Sequence, residues 1–362
     1  MLPGVENILI VQLGDIGDVV LTTPTIRAVK ETYPAARVSI MVRKPFGSLL
    51  AADPYLHEVV ESVKVRGTVR QAVIEYARFI CRLRRAHYDL VIDLRTGDRG
   101  TILTFLTGAT ARVGRSVGGK QFWHGLLLTK AIPCSPPFGG AHVHPGADQS
   151  LRIVREIGID TGDSVPRLHI SQQDHERAME LLTEGGLVLD TRWITINPFS
   201  RWKYKEWDSK KWGEVVDWLW SIHRISTVFI GSPEEEAAAG EIVRGREEYA
   251  LNMAGKTTLG ELAAIISMSS LHIGVDSAAP HVAAALGTPT VTIHGPSDWR
   301  DWRLANDMHS IVCPAMECVP CRRMGCNDSQ RSKCLEELSV DTVISQIDKV
   351  LISSGCSCAA TE

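Results

Sequence analysis

Strand-sized apolar runs alternate with amphipathic segments along the first part of the chain. The first run spans residues 7–13 and is apolar almost without interruption. Residues 17–31 then keep apolar side chains at helical spacing until Tyr33 and Pro34, which end the segment. Further strands are predicted at residues 37–42, 58–62 and 88–94, with helices between them. This alternation is typical of a parallel sheet that is covered by helices on both faces.

The same pattern starts again after a stretch rich in proline and glycine. Residues 132–146 have no apolar periodicity and predict a long loop, and an interdomain linker is predicted at residues 160–173. Beyond the linker, strands are predicted at residues 193–197, 227–230, 271–275 and 290–293. Helices are predicted at residues 209–222, 234–246, 259–268, 280–286 and 339–351.

The fold class that follows is α/β, with two Rossmann-like, doubly wound domains. We assign residues 1–165 to an N-terminal domain and residues 175–338 to a C-terminal domain with a cysteine-rich segment at residues 313–334. Residues 339–352 are predicted to form a C-terminal helix. Two such domains facing each other across a cleft would direct the loops after their strands into one groove. Open α/β sheets bind ligands at the carboxyl ends of their strands, so the candidate chemistry is expected in those loops.

Composition and charge narrow the class of protein. The chain has 362 residues, of which 44% are hydrophobic and 22% charged, as in an ordinary globular protein of two domains. A formal net charge of -3 gives no reason to expect nucleic acid as a partner. No apolar run reaches membrane-spanning length, and the first residues lack a basic segment and a small-residue cleavage site. We therefore expect a soluble, cytoplasmic protein.

The first motif, GDIGDVVLTTP, begins at Gly14, directly after the first strand. Gly17 is predicted to let the chain turn sharply into the helix, and Asp18 to lie near the helix N-terminus. A carboxylate there can take the proton of a sugar hydroxyl that becomes a nucleophile. An ordinary helix cap explains the aspartate equally well. The motif lacks the full dinucleotide-binding glycine pattern, which makes a nicotinamide-dependent dehydrogenase less favoured.

The second motif, NPFSRWKYKEW, covers residues 197–207 and follows the first strand of the second domain. In an extended loop, Arg201, Lys203 and Lys205 would share one side and could meet a diphosphate. The alternative is a basic surface loop anchored by Trp202 and Trp207.

The third motif, GVDSAAPHVAAA, covers residues 274–285 and joins an apolar strand to an apolar helix. The backbone N–H groups of residues 277–279 would face outward at a helix N-terminus, where anions bind, and Pro280 suits the first helical turn. Asp276 and His281 would flank the same anion. A capping aspartate and a buried core histidine are the alternatives, but their occurrence together at one turn favours a functional site.

Two further loops follow predicted strands. Residues 231–236 (GSPEEE) could present a carboxylate to ribose hydroxyls, although an acidic first helical turn explains them equally well. Residues 294–298 (HGPSD) are interpreted as another loop of the groove.

A basic helical region lies in the N-terminal domain. Apolar residues, including Val69 and Val73, separate its arginines, which are Arg66, Arg70, Arg78, Arg82, Arg84 and Arg85. Such a helix could dock on the anionic inner membrane or on lipid phosphates. A solvated face over the sheet is the alternative.

Five of the nine cysteines crowd near the end of the second domain. Cys318, Cys321, Cys326 and Cys334 have ligand-like spacing in a chain with no export signal, which favours a structural zinc or iron site. Cys313 is a possible substitute ligand. Reduced free thiols are the alternative, and Cys356 and Cys358 receive no assignment.

Three segments together resemble glycosyltransferase family 9. They are ILIVQLGDIGDVVLTTPTIRAVKETYP, SRWKYKEWD and AGKTTLGELAAIISMSSLHIGVDSAAPHVAAALGTP. Their order and spacing are those of the family from residue 7 to about residue 303, and they are most similar to its lipopolysaccharide heptosyltransferase III-like branch. The cysteine-rich segment is similar to one found in many relatives.

The resemblance implies a GT-B fold with an acceptor-binding N-terminal domain and a nucleotide-sugar-binding C-terminal domain. It implies ADP-L-glycero-D-manno-heptose as the donor, an inner-core sugar on lipid A as the acceptor, and an inverting reaction without a catalytic cofactor or metal. A nucleotide-sugar epimerase, a transferase for another nucleotide sugar and a non-catalytic binding protein are the alternatives. Retention of Asp18 and Lys205 argues against the last of these.

The resemblance also implies roles for single residues. Asp18 matches the general base, Lys205 the donor-phosphate lysine, and Asp276 and His281 the donor-sugar contacts. The complete donor-binding set is Gly17, Ser200, Lys205, Gly231, Glu234, Asp276, Ser277, Ala278, Ala279 and His281. Residues 277–279 match the diphosphate loop, and the nucleotide-contacting glutamate falls within residues 234–236. The chain departs from many relatives at Ala278, where they have glycine, and at Pro280, which directly precedes His281.

Overall fold

A computed structural model describes residues 3–63, 68–116, 123–133, 145–302 and 308–353. The chain forms two compact units, Met1–His169 and Ile170–Glu362. Each unit contains a six-stranded sheet in which all paired strands run parallel. The division falls within the segment that the sequence predicts as a linker.

The sheet of unit 1 has the order β3-β2-β1-β4-β5-β6. Its strands are β1 (Asn7–Gln12), β2 (Arg37–Arg43), β3 (Glu58–Ser62), β4 (Leu90–Asp93), β5 (Ala111–Ser116) and β6 (Lys130–Pro133). β1 lies at the centre, with Ile10 paired to Ile40 on one side and to Ile92 on the other. Both faces of β1 are covered, which is why its sequence is continuously apolar. β5 and β6 carry too few apolar residues to have been predicted.

The described residues of unit 1 form six helices. They are α1 (Ile16–Leu21), α2 (Thr23–Thr32), α3 (Val69–Arg85), α4 (Asp98–Leu106), α5 (His124–Leu127) and α6 (Pro145–Arg155). The prediction of one helix over residues 17–31 is wrong, because α1 and α2 are separate. Pro24 has no N–H to donate to the carbonyl of Val20. That carbonyl instead accepts a hydrogen bond of 2.9 Å from the hydroxyl of Thr23.

The sheet of unit 2 has the order β12-β11-β10-β7-β8-β9. Its strands are β7 (Trp193–Asn197), β8 (Ser226–Phe229), β9 (Ala250–Asn252), β10 (His272–Val275), β11 (Thr290–Ile293) and β12 (His309–Val312). Ile273 of β10 pairs with Ile196 and with Val291, and all three side chains are fully buried. The four predicted strands are the inner four, whereas the short edge strands β9 and β12 were not predicted.

The helices of unit 2 cover its sheet. They are α7 (Gln172–Glu184), α8 (Ser209–His223), α9 (Glu236–Val243), α10 (Leu259–Met268), α11 (Ala279–Ala285), α12 (Lys333–Glu337) and α13 (Val340–Ser353). Val343 and Ile347 of α13 are fully buried in one core with Trp212 of α8. The C-terminal helix that the sequence sets apart is therefore an integral layer of unit 2.

Parallel pairing brings the loops after neighbouring strands to one edge of each sheet. In unit 1 the loops after β1 and β4 share an edge, and in unit 2 those after β7, β10 and β11 do so. These are the edges at which α/β sheets bind ligands. Across the described ranges, no helix is both long and apolar enough to cross a bilayer.

Candidate active site

Asp18 lies where the first strand of unit 1 leads into the first helix. β1 ends at Gln12, and Asp18 is in the first turn of α1. One carboxylate oxygen, Oδ2, accepts the backbone N–H of Asp15 at 2.8 Å. The other, Oδ1, lies 2.9 Å from Nη1 of Arg95. The local capping contact and an ionic contact are thus both present, on different oxygens.

Gly14 makes the room for this carboxylate. A Cβ atom on Gly14 would lie 2.3 Å from Oδ2 of Asp18, so a larger residue would displace the carboxylate. The carbonyl of Gly14 also accepts a hydrogen bond of 2.8 Å from Nε of Arg43, which fixes the turn. Gly17 lies inside α1 and has no left-handed backbone. The prediction that Gly17 makes the sharp turn is wrong, because the chain turns before α1 begins; its donor-binding role stays a prediction.

A cavity of about 200 Å³ opens beside Asp18 within unit 1. Its polar lining consists of Gln12, Asp18, Arg95, Thr96, Arg115, Gln149 and Ser150. The side chain of Asp18 is 20% exposed, so the carboxylate is accessible but partly shielded from bulk water. A hydroxyl group bound in this cavity could reach a carboxylate oxygen, which is the geometry that a general base needs.

The two arginines of this cavity were not singled out in the sequence. Arg95 follows the end of β4 by two residues, so the rule that sites lie at strand carboxyl ends could have identified it. Arg115 lies in β5, a strand that the apolar pattern does not reveal. Gln149 is in α6, more than 130 residues from Asp18, and nothing in the sequence relates the two.

In unit 2, Lys205 and Asp276 form an ion pair. Nζ of Lys205 lies 2.6 Å from Oδ2 of Asp276, and the two side chains are 18% and 8% exposed. Asp276 directly follows β10, and Lys205 ends a short 3-10 turn after β7. The structure therefore brings the second and third motifs together, as the sequence predicts for residues that share one site.

Only one of the three cations of the second motif reaches Asp276. Lys203 is exposed and pairs with Glu206 at 2.9 Å, and the Arg201 guanidinium stacks 5.3 Å from the ring centre of Trp202. The predicted extended loop, with all three cations on one side, is wrong because Lys203–Lys205 form a 3-10 turn. Such a turn rotates successive side chains away from one another.

Ser200 and Trp207 hold this loop in place. The buried Ser200 donates its hydroxyl hydrogen to the backbone carbonyl of Asp276 at 3.4 Å. Trp207 is also buried, and its indole N–H donates to the carbonyl of Leu338 at 3.2 Å. Trp202 is 41% exposed, so of the two proposed aromatic anchors only Trp207 acts as one.

The electrostatics of Asp276 keep it ionised. Burial alone would raise the pKa of its carboxyl, but the positive charges of His294, when that ring is protonated, and of Lys205 hold that pKa below the ordinary value. Burial lowers the pKa of His294, so its imidazole is neutral at pH 7 and Lys205 is the charged partner. His294, 4.0 Å from Asp276, belongs to the 294–298 loop, for which the sequence indicated no specific contact.

His281 lies behind the same carboxylate, in α11. Burial lowers the pKa of His281 to about 4, so this imidazole is also neutral at pH 7. A small cavity of about 10 Å³, room for about one water molecule, is lined by Asp276, Ser277, His281, His294 and His309. Neutral imidazoles can donate or accept hydrogen bonds, which suits contacts with hydroxyl groups.

Residues 277–279 form the turn between β10 and α11. Within the described part of the chain, the backbone N–H groups of Ser277, Ala278 and Ala279 donate to no acceptor. Pro280 lies in the first turn of α11, as the sequence predicts. The unpaired donors are adjacent in sequence to Asp276, the partner of Lys205.

The glutamates after β8 are divided between two roles. Glu235 accepts the backbone N–H of Ser232 at 2.7 Å, which caps the short turn before α9. A Cβ atom on Gly231 would lie 2.8 Å from Oε2 of Glu235, so Gly231 gives room to that cap. The capping interpretation therefore holds for Glu235, whereas Glu234 is exposed and keeps its predicted nucleotide role as a prediction.

The cysteine-rich segment packs on unit 2. Cys334 is buried, and burial, together with the nearby thiols of Cys318, Cys321 and Cys326, raises the pKa of Cys334 to about 11. Among described residues, no three or more side chains of the types that bind metals are arranged to hold an ion. The predicted metal stays a prediction. Cys356 and Cys358 lie outside the described residues.

The basic helical region is α3. The apolar side chains of its C-terminal half, Phe79 and Leu83, are buried in the unit 1 core. Those of its N-terminal half are exposed, with Val69 at 81% and Val73 at 63%. The solvated-face alternative thus accounts for the arginines but not for these exposed apolar residues. Arg66 lies outside the described residues.

Known proteins are similar to this chain in sequence and in fold. The sequence profile of glycosyltransferase family 9 (heptosyltransferase) matches residues 76–331. Lipopolysaccharide heptosyltransferase 3 of Escherichia coli is 27% identical over 349 residues, which cover 93% of this chain and 97% of that protein.

Two solved structures from the same organism match the fold. E. coli ADP-heptose lipopolysaccharide heptosyltransferase II superposes with a TM-score of 0.77 at 18% identity, covering 96% of this chain and 99% of that one. An E. coli heptosyltransferase with ADP superposes with a TM-score of 0.71 at 18% identity, covering 95% and 99%. These likenesses confirm the predicted GT-B fold class.

Proposed function

Because the chain belongs to glycosyltransferase family 9 (heptosyltransferase), we propose that it transfers a heptosyl group from an ADP-activated heptose to an inner-core sugar of lipopolysaccharide. The observation that carries the proposal is the Asp18 carboxylate, which lies at the carboxyl edge of its sheet and lines an open cavity. The donor is proposed to be ADP-L-glycero-D-manno-heptose, and the acceptor sugar to be linked to lipid A.

In the proposed mechanism, Asp18 is the general base. Its carboxylate takes the proton of the acceptor hydroxyl as the oxygen attacks the anomeric carbon of the heptose. Attack comes from the face opposite ADP, so the bond from the anomeric carbon to the diphosphate oxygen breaks with inversion. The side chain of Asp18 is only 20% exposed, so a hydroxyl group bound in the cavity meets the carboxylate with little competition from bulk water.

The leaving diphosphate gains negative charge as that bond breaks. Lys205 and the unpaired N–H groups of residues 277–279 are proposed to stabilise this charge, since fixed donors need no reorganisation during the reaction. Asp276, with His281 and His294 beside it, is proposed to hold the hydroxyl groups of the donor sugar. Glu234 and Gly231 are proposed to contact the nucleoside.

The epimerase alternative is not favoured. The heptosyltransferase relative aligns with 93% of the chain and 97% of its own length. Another nucleotide sugar as donor is the alternative that the experiment must separate from ADP-heptose.

A donor panel tests the proposal. Purified protein is incubated with truncated lipopolysaccharide and, in turn, with ADP-heptose, ADP-glucose and GDP-mannose, and the products are weighed by mass spectrometry. We expect the acceptor to gain one heptosyl unit from ADP-heptose alone. Transfer only from another donor would contradict the heptose assignment, and donor consumption without acceptor would favour the epimerase.

We also propose that the enzyme works as a peripheral protein at an anionic membrane surface, and that α3 makes the contact. Val69, Val73 and Tyr76 continue, at helical spacing, the apolar stripe whose other half is buried in the core. Arg70, Arg78 and Arg85 are exposed on the same helix and form no ion pair within the described ranges, so anionic lipid complements their charge. The cytoplasmic location stays a prediction.

Sedimentation with vesicles tests this contact. More protein should sediment with vesicles containing phosphatidylglycerol than with neutral vesicles, and the excess should disappear at high salt. Val73→Asp should reduce binding at both salt concentrations, whereas Val188→Asp, at a 61% exposed site of unit 2, should not. Equal losses in the two variants would rule out α3 as the contact.

We further propose that Cys318, Cys321, Cys326 and Cys334 bind a structural zinc or iron ion once the segment closes around it. Cys326 already accepts a backbone N–H, that of Lys333, at 3.5 Å. Metal analysis of protein purified without a histidine tag tests the proposal. Bound metal should be lost in Cys318→Ser and kept in Cys81→Ser, whose cysteine lies on α3. Absence of metal from the untagged protein would refute it.

A further inference from the structure

The Asp18 cavity carries more positive than negative charge. Among the described residues, its charged lining consists of one carboxylate, Asp18, and two guanidinium groups, Arg95 and Arg115. The remaining polar groups are the neutral side chains of Gln12, Thr96, Gln149 and Ser150. A sugar hydroxyl is neutral, so transfer to a hydroxyl does not by itself explain the second arginine.

The two arginines differ in their partners. Nη1 of Arg95 lies 2.9 Å from Oδ1 of Asp18. The other oxygen, Oδ2, is already held by the N–H of Asp15. Arg115 is half-buried and, among the residues described, its guanidinium forms neither a hydrogen bond nor an ion pair. A half-buried cation that faces a cavity without a counter-ion is an incomplete arrangement, because burial of a charge is unfavourable unless it is paired.

We propose that Arg95 and Arg115 bind an acidic group of the acceptor, a carboxylate or a phosphate close to the hydroxyl that reacts. This rests on the proposed function, since it places the acceptor in the Asp18 cavity. Guanidinium groups form paired hydrogen bonds with carboxylate and phosphate oxygens, and two such groups fix the orientation of the anion. An acid group held there orients the neighbouring hydroxyl toward Asp18.

The Arg95–Asp18 pair adds a consequence for the reaction. When Arg95 turns to the acceptor anion, Oδ1 of Asp18 loses its ionic partner and becomes available to the acceptor hydroxyl. Without an acceptor, Arg95 occupies that oxygen. The acid group thus positions the acceptor and also frees the base, while Arg95 and Arg115 remain positioning residues that transfer no proton.

Steady-state kinetics with altered acceptors test the proposal. The acceptors are intact truncated lipopolysaccharide, the same material with its sugar phosphates removed, and the same material with its sugar carboxylates reduced to alcohols. For the unmodified enzyme, kcat/KM should fall about tenfold to 100-fold for the acceptor that lacks the recognised acid, as expected when charged hydrogen bonds are lost. Which of the two treatments causes the loss identifies the acid as phosphate or carboxylate.

Variants then assign the effect to the two arginines. Arg95→Gln and Arg115→Gln should each raise KM for the intact acceptor about tenfold, and the double variant should no longer distinguish it from the neutralised one. Arg37→Gln, at an exposed position at the start of β2 on the opposite edge of the sheet, should retain the discrimination. Thermal unfolding of each variant checks that folding is intact, and Arg95→Lys should restore part of the discrimination.

The outcomes separate this inference from the function on which it rests. If the unmodified enzyme transfers heptose equally well to all three acceptors, the acid-binding site is refuted and the heptosyltransferase function stands. The same conclusion follows if both arginine variants lose activity by one factor on charged and neutralised acceptors alike. If the unmodified enzyme transfers no heptose to any acceptor, the proposed function fails first.

Discussion

At the scale of single residues, each unit places a carboxylate next to a cationic side chain. Asp18 meets Arg95 and a backbone N–H, and Asp276 meets Lys205. The sequence predicted both carboxylates because each follows a strand in a distinctive motif, whereas Lys205 was selected from the three cations of its motif by the family resemblance. The sequence could not predict Arg95 as the partner of Asp18, because that contact depends on the pairing of β1 with β4.

Replacing Asp18 separates chemistry from binding. Asp18→Asn should lower kcat for heptose transfer by at least about 100-fold, because an amide cannot take the hydroxyl proton. The affinity for ADP, measured by calorimetry, should change little, since the groups proposed to bind ADP all lie in unit 2 apart from Gly17. Asp15→Asn is the matched control, because it changes the neighbouring acidic residue at the same helix start. A large loss of ADP affinity in Asp18→Asn would refute the base assignment.

The Lys205–Asp276 pair should also contribute to stability. Lys205→Ala leaves a buried carboxylate without its cation and should lower the free energy of unfolding of unit 2 by about 3 kcal/mol. The double variant Lys205→Ala, Asp276→Asn should lose less stability than Lys205→Ala alone, because no buried charge remains.

The sign of the pH dependence follows from the lowered pKa of Asp276. The ion pair stabilises unit 2 at pH values above the unfolded-state pKa of Asp276, which is near 3.8. This stabilisation is lost as the pH falls through the lower pKa of the folded state. Urea denaturation between pH 3 and pH 7 measures it. If the Lys205→Ala defect were as large at the acid end as at pH 7, an ionic role for the pair would be wrong.

At the scale of elements, apolar patterning predicted what is buried and missed what is short or polar. The inner strands of unit 2 were predicted because each is buried on both faces. β9 has only three residues, too few for a period to be detected. The break between α1 and α2 depends on one proline. The apolar side chains keep helical spacing across that break, so their pattern predicted a single helix. The 3-10 turn of the second motif likewise left no signal in the sequence.

α13 provides an element-scale prediction. The sequence set this helix apart, yet Ile347 is fully buried in the unit 2 core. Ile347→Ala should lower the free energy of unfolding of unit 2 by about 2–5 kcal/mol, through lost burial and the cavity left behind. Ile352→Ala, on the same helix but 57% exposed, should cost less than about 0.5 kcal/mol. Chemical denaturation monitored by tryptophan fluorescence compares them; similar values would show that α13 is not part of the core.

At the scale of the whole molecule, two sheets of the same architecture contain different chemistry. Unit 1 supplies the proposed base and its arginines, and unit 2 supplies the proposed diphosphate and sugar contacts. The repeated βα pattern was sufficient to predict two α/β units, because the pattern depends only on which residues are buried. The different roles of the two units were predicted from the motifs and the family resemblance. The fold could not predict them, since similar sheets can support unrelated functions.

The stability of unit 1 is expected to change with pH because of a buried carboxyl group that the proposed mechanism does not use. Asp93, at the end of β4, is fully buried beside the turn that carries Arg95. Burial raises the pKa of Asp93 to about 7 from an ordinary value of 3.8. Between these two values the folded chain binds more protons than the unfolded chain, so unit 1 should lose stability as the pH rises from about 4 to about 7.

Asp93→Asn removes this dependence. An amide stays neutral and can keep the contacts to the N–H of Arg95 and the hydroxyl of Thr101. Relative to the unmodified protein, the variant should gain up to about 4 kcal/mol between pH 4 and pH 8, because one pKa unit corresponds to about 1.4 kcal/mol. Hydrogen exchange of the β1 and β4 amides, corrected for intrinsic rates, measures the unfolding free energy of unit 1. A difference that does not change with pH would mean that Asp93 is ionised throughout, with a cation near it that compensates for burial.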